Sequence, residues 1–204
     1  MASQVAHIIY AQKYFEKYPS NMIDRDEFML GCVFPDIRRI DHSIKRKETH
    51  LCHECLDLNF ENLSSFEAGW KFHLYCDMRR EEILNGYNFY SIDGTGDFGH
   101  FASKLLEDEL VYENYNNWEK ICLYFNNPPQ VKIGIDVTRE TFEMWYSVVA
   151  KYFEKKPDNS TMHIFLSKQP SLVEKADGLI DSVSKLREDK KVVEILKKVA
   201  NEMV

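Results

Sequence analysis

His73 and Asp77 stand four residues apart in the stretch Ala68-Gly69-Trp70-Lys71-Phe72-His73-Leu74-Tyr75-Cys76-Asp77. On a helix that spacing puts two side chains on one face, about one turn from each other. The same face carries Phe66, Gly69, Trp70 and Leu84, so it is the side turned toward a core. A carboxylate on an inward stripe is costly unless a cation meets it, and an arginine or a metal ion would serve. A core histidine hydrogen-bonded to its own i+4 aspartate is the plainer alternative. Gly69, one turn before His73, leaves room for something bulky or for the close approach of another helix.

Three more residues bear on that choice. His7 lies among Val5, Ile8 and Ile9, an unusual place for an imidazole without a partner. Asp36 follows Pro35 at a helix end, in Gly31-Cys32-Val33-Phe34-Pro35-Asp36, and His50 closes a loop after Thr49. Imidazole and carboxylate are donors that suit zinc, manganese or iron, and a catalytic site keeps one position open for water.

The order of a helix-borne His, then G-x-x-x-P-D, then T-H, then A-G-x-x-x-H-x-x-x-D resembles the zinc-dependent phospholipase C superfamily. That superfamily includes the single-strand-specific nucleases and many bacterial members. The pieces here are His7, Gly31 to Asp36, Thr49-His50, and Ala68-Gly69 with His73 and Asp77, all within residues 1–85. The resemblance implies that Asp36, His50, His73 and Asp77 are ligands of one metal, and that His7 is a ligand of a second bridged by Asp77. Members with a third metal carry a later His followed by H-x-x-x-E. Downstream of Asp77 there are only His100 and His163, neither with a Glu four residues on, which leaves Glu107, Asp108 or Glu113 as substitutes. One or two ions are therefore expected, with Zn2+ first and Mn2+ or Fe2+ as alternatives.

The activity so implied is a metal-dependent hydrolase of phosphoesters, phosphodiesterase- or phospholipase C-like, in which Asp36 orients or deprotonates the attacking water. Arg38 and Arg39, in a basic run between two expected ligands, could hold a phosphate bidentately, and otherwise form a solvated loop. The rival class is a non-catalytic binding or regulatory protein that keeps the same helical scaffold and a structural metal. A phospholipid head group, a nucleotide, a short oligonucleotide and a sugar phosphate all remain possible substrates.

Other motifs lose on context. Gly94-Thr95-Gly96-Asp97-Phe98-Gly99 satisfies G-x-G-x-x-G, but the residues after it read as helix where a second parallel strand belongs. His53-Glu54-Cys55-Leu56-Asp57 has Asp where a zinc protease needs its second His, and Asp41-His42 reverses the His-Asp order of the HD phosphohydrolases. Cys52 and Cys55 form a C-x-x-C with neither a second pair for a zinc ribbon nor the βαβ setting of a redox motif.

The elements that must position these residues read as helices. Apolar residues recur at three-and-four spacing from Gln4 to Tyr18, and a second helix is expected over Asp24 to Cys32. Ile37 to Thr49 reads as a polar, basic loop. Ser64-Ser65-Phe66-Glu67 is a capping box opening a helix to Leu84. Helical segments follow over Phe101 to Phe125, with a break at Asn116-Asn117, and over Thr138 to Lys155, closed by Pro157-Asp158-Asn159. Two more run from Pro170, split near Glu188; only Phe89 to Ile92 and Val131 to Ile133 could be strands.

The expectation is an all-α, single-domain bundle of about seven helices, phospholipase C-like, spanning residues 1–204, with a ligand-bearing part over 1–85 and a helical remainder over 86–204. At 204 residues and 44% hydrophobic composition, the chain can bury a core without disulfides or structural metals. The 26 basic against 33 acidic residues argue against duplex nucleic acid, whose non-specific binding runs on net positive charge. No run of apolar residues is long enough to span a membrane. The opening Met-Ala-Ser-Gln-Val-Ala-His lacks a basic and an apolar signal region, so a cytoplasmic location is expected.

Overall fold

Three short polar side chains start three of the helices by taking up backbone N–H groups that have no partner inside the helix. Asp24 accepts from Glu27 N at 2.9 Å, Asp158 from Thr161 N at 2.7 Å and Asp189 from Lys191 N at 2.8 Å. Ser64 and Glu67 close the expected capping box in both directions, with Ser64 N donating to Glu67 at 3.0 Å and Glu67 N to Ser64 Oγ at 3.2 Å. The structure, a computed structural model, describes residues 4–19, 22–50, 56–96 and 98–204. The Cys52–Cys55 motif, Asp97 of the glycine-rich motif, most of the His53 to Asp57 run, part of the Pro19-Ser20-Asn21 stop and the first three residues lie outside the described residues.

Helix makes up 72% of the fold, and the described residues form ten α-helices and no strand. They are α1 (Gln4–Lys17), α2 (Arg25–Val33), α3 (Arg46–His50), α4 (Ser65–Gly86), α5 (Phe98–Val111), α6 (Trp118–Asn126), α7 (Arg139–Phe153), α8 (Asn159–Ser167), α9 (Ala176–Glu188) and α10 (Lys190–Glu202). Short 3-10 turns cover Phe34–Arg39, Phe89–Ser91, Tyr112–Asn114 and Val173–Lys175.

The all-α expectation holds, but the count of about seven is too low. The span Ile37 to Thr49 is not all loop. It contains the second half of the Phe34–Arg39 turn and nearly all of α3, whose five residues are too few to show an apolar stripe. Asp158, expected to help end α7, instead caps α8, so a stop and a start share one polar cluster. The Phe89 segment is a 3-10 turn entered through Asn88 in the left-handed conformation, with φ 51°, and Val131 to Ile133 has no regular structure.

α2 and α4 meet backbone to backbone. A Cβ added to Gly31 would lie 2.1 Å from the Phe66 carbonyl oxygen, and one added to Gly69 would lie 1.9 Å from that of Phe28. Of the two uses open to Gly69, close helix approach is therefore the one realised. Around this contact the aromatic rings pack as two clusters, Tyr14, Phe15 and Phe72 on Phe28, and Phe34 with Phe66 and Trp70. No described helix is long and apolar enough to cross a membrane.

Candidate metal centre

α4 presents His73 and Asp77 inward, and the Gly31–Gly69 contact decides what His73 meets. With α2 so close, the Cys32 carbonyl accepts a hydrogen bond from His73 Nδ1 at 2.7 Å. A carbonyl only accepts, so Nδ1 carries the hydrogen and Nε2 of the neutral ring is left with its lone pair. His73 is fully buried, and its Nε2 has no hydrogen-bond partner among the described residues.

α1 brings His7 to the same place. Its ring stacks on that of His73 with centroids 4.0 Å apart and planes 1° from parallel. His7 Nε2 lies 3.8 Å from Asp77 Oδ1, and His73 Nε2 lies 3.6 Å from Asp77 Oδ2. These separations are too long for hydrogen bonds. They are close to the edge of a tetrahedron, about 3.3 Å, built on metal bonds of about 2.0–2.1 Å. One donor atom from each of His7, His73 and Asp77 lies within 4.8 Å of the others. Two imidazoles and a carboxylate with donor atoms at these separations are a donor set that fits a divalent ion.

His50 and Asp36 border the group without joining its inner set. The His50 ring stands edge-on to His73, centroids 5.5 Å apart. It is held there because Trp70, one turn before His73, donates its indole N–H to the Thr49 carbonyl at 2.7 Å. His50 Nδ1 shares a hydrogen bond with the Thr49 hydroxyl at 2.8 Å, while Nε2 is buried with no hydrogen-bond partner among the described residues. Burial, then the neighbouring His73, pushes His50 down to about 3, which keeps the ring neutral.

Asp36, fully buried, accepts from Gln4 Nε2 at 2.7 Å on one oxygen and from Arg39 Nε at 2.9 Å on the other. Burial alone would raise its carboxyl; the Arg39 guanidinium, then His73, His50 and Arg38, overcome that and hold it well below the usual carboxylate range. Arg39 is thereby accounted for. It is buried, stacked over the Phe101 ring at 5.1 Å and spent on Asp36, so it does not reach outward to a phosphate as the sequence suggests. Arg38 is the more accessible of the two, and its guanidinium lies 4.0 Å from Asp36 Oδ1.

The acids available for a third metal are occupied elsewhere. Glu107 pairs with Arg80 at 2.7 Å, Asp108 accepts the Ala6 N–H at 2.8 Å, and Glu113 pairs with Lys156 at 3.1 Å. His100 shares a hydrogen bond with the Tyr90 hydroxyl, and His163 lies 3.0 Å from Asp177. Sequence reasoning missed Gln4, although it stands three residues before His7 and shares its helix face. It also missed the carbonyls of Cys32 and Thr49, because a backbone acceptor leaves no mark in residue type.

No protein-family model, no curated protein and no solved structure matches the chain.

Proposed function

We propose that this chain is a metal-dependent hydrolase of small phosphoesters, phospholipase C-like in fold, that binds one or two divalent ions, zinc foremost. The observation that carries the reading is the His7–His73–Asp77 group, in which the Cys32 carbonyl fixes the His73 tautomer with Nε2 as the donor. His73, Asp77 and His7 would hold the ion or ions, with His50 and Asp36 next to them. An ion there supplies Lewis acidity, which polarises a phosphoryl oxygen and brings the acidity of water toward neutrality. Asp36 is kept anionic with a hydrogen bond on each oxygen, which suits it to orient water rather than to take up its proton. Arg38, beside Asp36, takes the phosphate-binding role in place of Arg39.

The same scaffold with a structural ion is favoured by one observation: His7, Asp36 and His73 are all 0% exposed, and structural zinc sites are closed. Metal analysis of Asp77→Asn against the unsubstituted protein, followed by a panel of generic phosphoesters, tests both readings. Under either, Asp77→Asn should lose at least one equivalent of metal; only under the hydrolase reading does phosphoester cleavage fall with it, by orders of magnitude. A structural hydrogen bond at Asp77 would instead cost about 1–3 kcal/mol of stability and leave metal content unaltered. An unsubstituted protein that takes up no divalent metal under reducing conditions would sink the proposal.

A further inference from the structure

Glu107 and Asp108 are neighbours on α5, and both are fully buried. Burying adjacent carboxylates is unfavourable unless each is paired. Each is paired with a helix that carries members of the His7–His73–Asp77 group. Glu107 Oε2 accepts from Arg80 Nε at 2.7 Å, and Arg80 stands three residues beyond Asp77 on α4. Glu107 Oε1 accepts from the Tyr10 hydroxyl, and Tyr10 stands three residues beyond His7 on α1. Asp108 Oδ1 accepts the Ala6 N–H at 2.8 Å, one residue before His7, in the first turn of α1 where amides lack partners within the helix. A second nitrogen of Arg80 donates to Ser103 Oγ at 3.1 Å, so α5 holds that guanidinium at two points.

We infer that Glu107, assisted by Asp108, is a positioning residue that sets His7 of α1 against His73 and Asp77 of α4, and through them the ion affinity of the group. The inference rests on the metal reading proposed above. One rigid carboxylate bridges both helices through its two oxygens, so the axial offset of α1 against α4 is fixed by its shape. The geometry it supports is narrow: two imidazoles in parallel contact, both directing Nε2 toward one carboxylate. A slide of α1 by one residue's rise, about 1.5 Å, would break that arrangement.

The test is a Co2+ titration of the chelator-treated full chain, read by heat and by the visible absorption of the bound ion, well below the melting temperature. Glu107→Gln keeps the side-chain shape but removes the charge and one acceptor. Its Co2+ dissociation constant should rise roughly tenfold or more, with an altered spectrum. Leu196→Ala, a core substitution on α10, is the control: it lowers the melting temperature and leaves the Co2+ constant and spectrum unchanged. If Glu107→Gln binds Co2+ with the constant and spectrum of the unsubstituted protein, this inference is overturned while the metal site stands. If the unsubstituted protein binds no Co2+, the metal reading falls and the inference falls with it. Should Glu107→Gln fail to fold, because Arg80 is left with only Glu81, at 3.6 Å, as counter-charge, Tyr10→Phe decides. That variant keeps the Arg80–Glu107 pair and the Asp108–Ala6 hydrogen bond and releases only the hold of Glu107 on α1; a several-fold weaker Co2+ constant supports the inference and an unchanged one overturns it.

Discussion

In α1, eight consecutive residues from Gln4 to Ala11 are buried, whereas α10 buries only the stripe Val192, Ile195, Leu196, Val199 and Ala200. The two helices differ by one residue in length, but they do different work. A helix with one apolar stripe covers a core and leaves its charged face, here Lys191, Glu194, Lys197 and Lys198, in water. A helix buried all round must satisfy its polar side chains inside, and α1 does so with Gln4 on Asp36 and Tyr10 on Glu107. The same contrast runs through the molecule. From residue 139 onward the described buried polar side chains are Thr161 and Gln169, while His7, Asp36, Arg39, His50, His73 and Arg80 are buried in the first 85 residues. Buried polar side chains are thus frequent in the part of the fold where α2 and α4 meet backbone to backbone.

The hardest blow to this contrast is a methyl group. Gly69→Ala puts a Cβ against the Phe28 carbonyl, where only backbone can move, and should cost about 3 kcal/mol or more, with loss of the Cys32–His73 hydrogen bond. Gly178→Ala on α9 meets nothing closer than 3.9 Å and should be neutral or stabilise by up to about 1 kcal/mol. Denaturant unfolding of both variants checks the pair, and equal effects would erase the distinction between the two regions.

Acid should act on the first 85 residues through His50, and on α5 through His100, which burial likewise pushes down to about 4. His50 is pushed from 6.5 down to about 3 in the fold, so between those values the unfolded chain holds a proton that the folded chain does not. Acidification through that window therefore favours unfolding, by at most about 1.4 kcal/mol per pH unit. Asp36 adds to the same trend lower down: its carboxyl is depressed in the fold, so its contribution is present above the unfolded value of 3.8 and lost as pH falls below it. Chelator-treated protein should thus lose stability from about pH 7 to about pH 5, and His50→Gln should flatten that slope. A slope unchanged by His50→Gln would place the acid sensitivity elsewhere.

The smallest effect is expected at the far end. Asp189→Ala removes the side chain that accepts from Lys191 N and Val192 N, and should cost about 1 kcal/mol while leaving metal content unchanged. A change in metal content there would show that the two regions are coupled more tightly than their packing implies.

Much of the fold was legible because helix signals are local. Ser64 and Glu67 announce α4 within four residues, and the Gly69–His73–Asp77 face follows from helical spacing alone. α3 escaped because five residues carry no period, and α8 because the residue that caps it also looks like a stop. Residue types and their order named His7, Asp36, His50, His73 and Asp77 before any geometry was known. Tertiary structure alone decided which of them bring donor atoms within 4.8 Å of one another, which way Arg39 turns, and what Glu107 and Asp108 hold. The reason is physical: a side chain's face is set by its own helix, but its partner is set by how closely two helices approach. At Gly31 and Gly69 that approach depends on atoms the side chains lack.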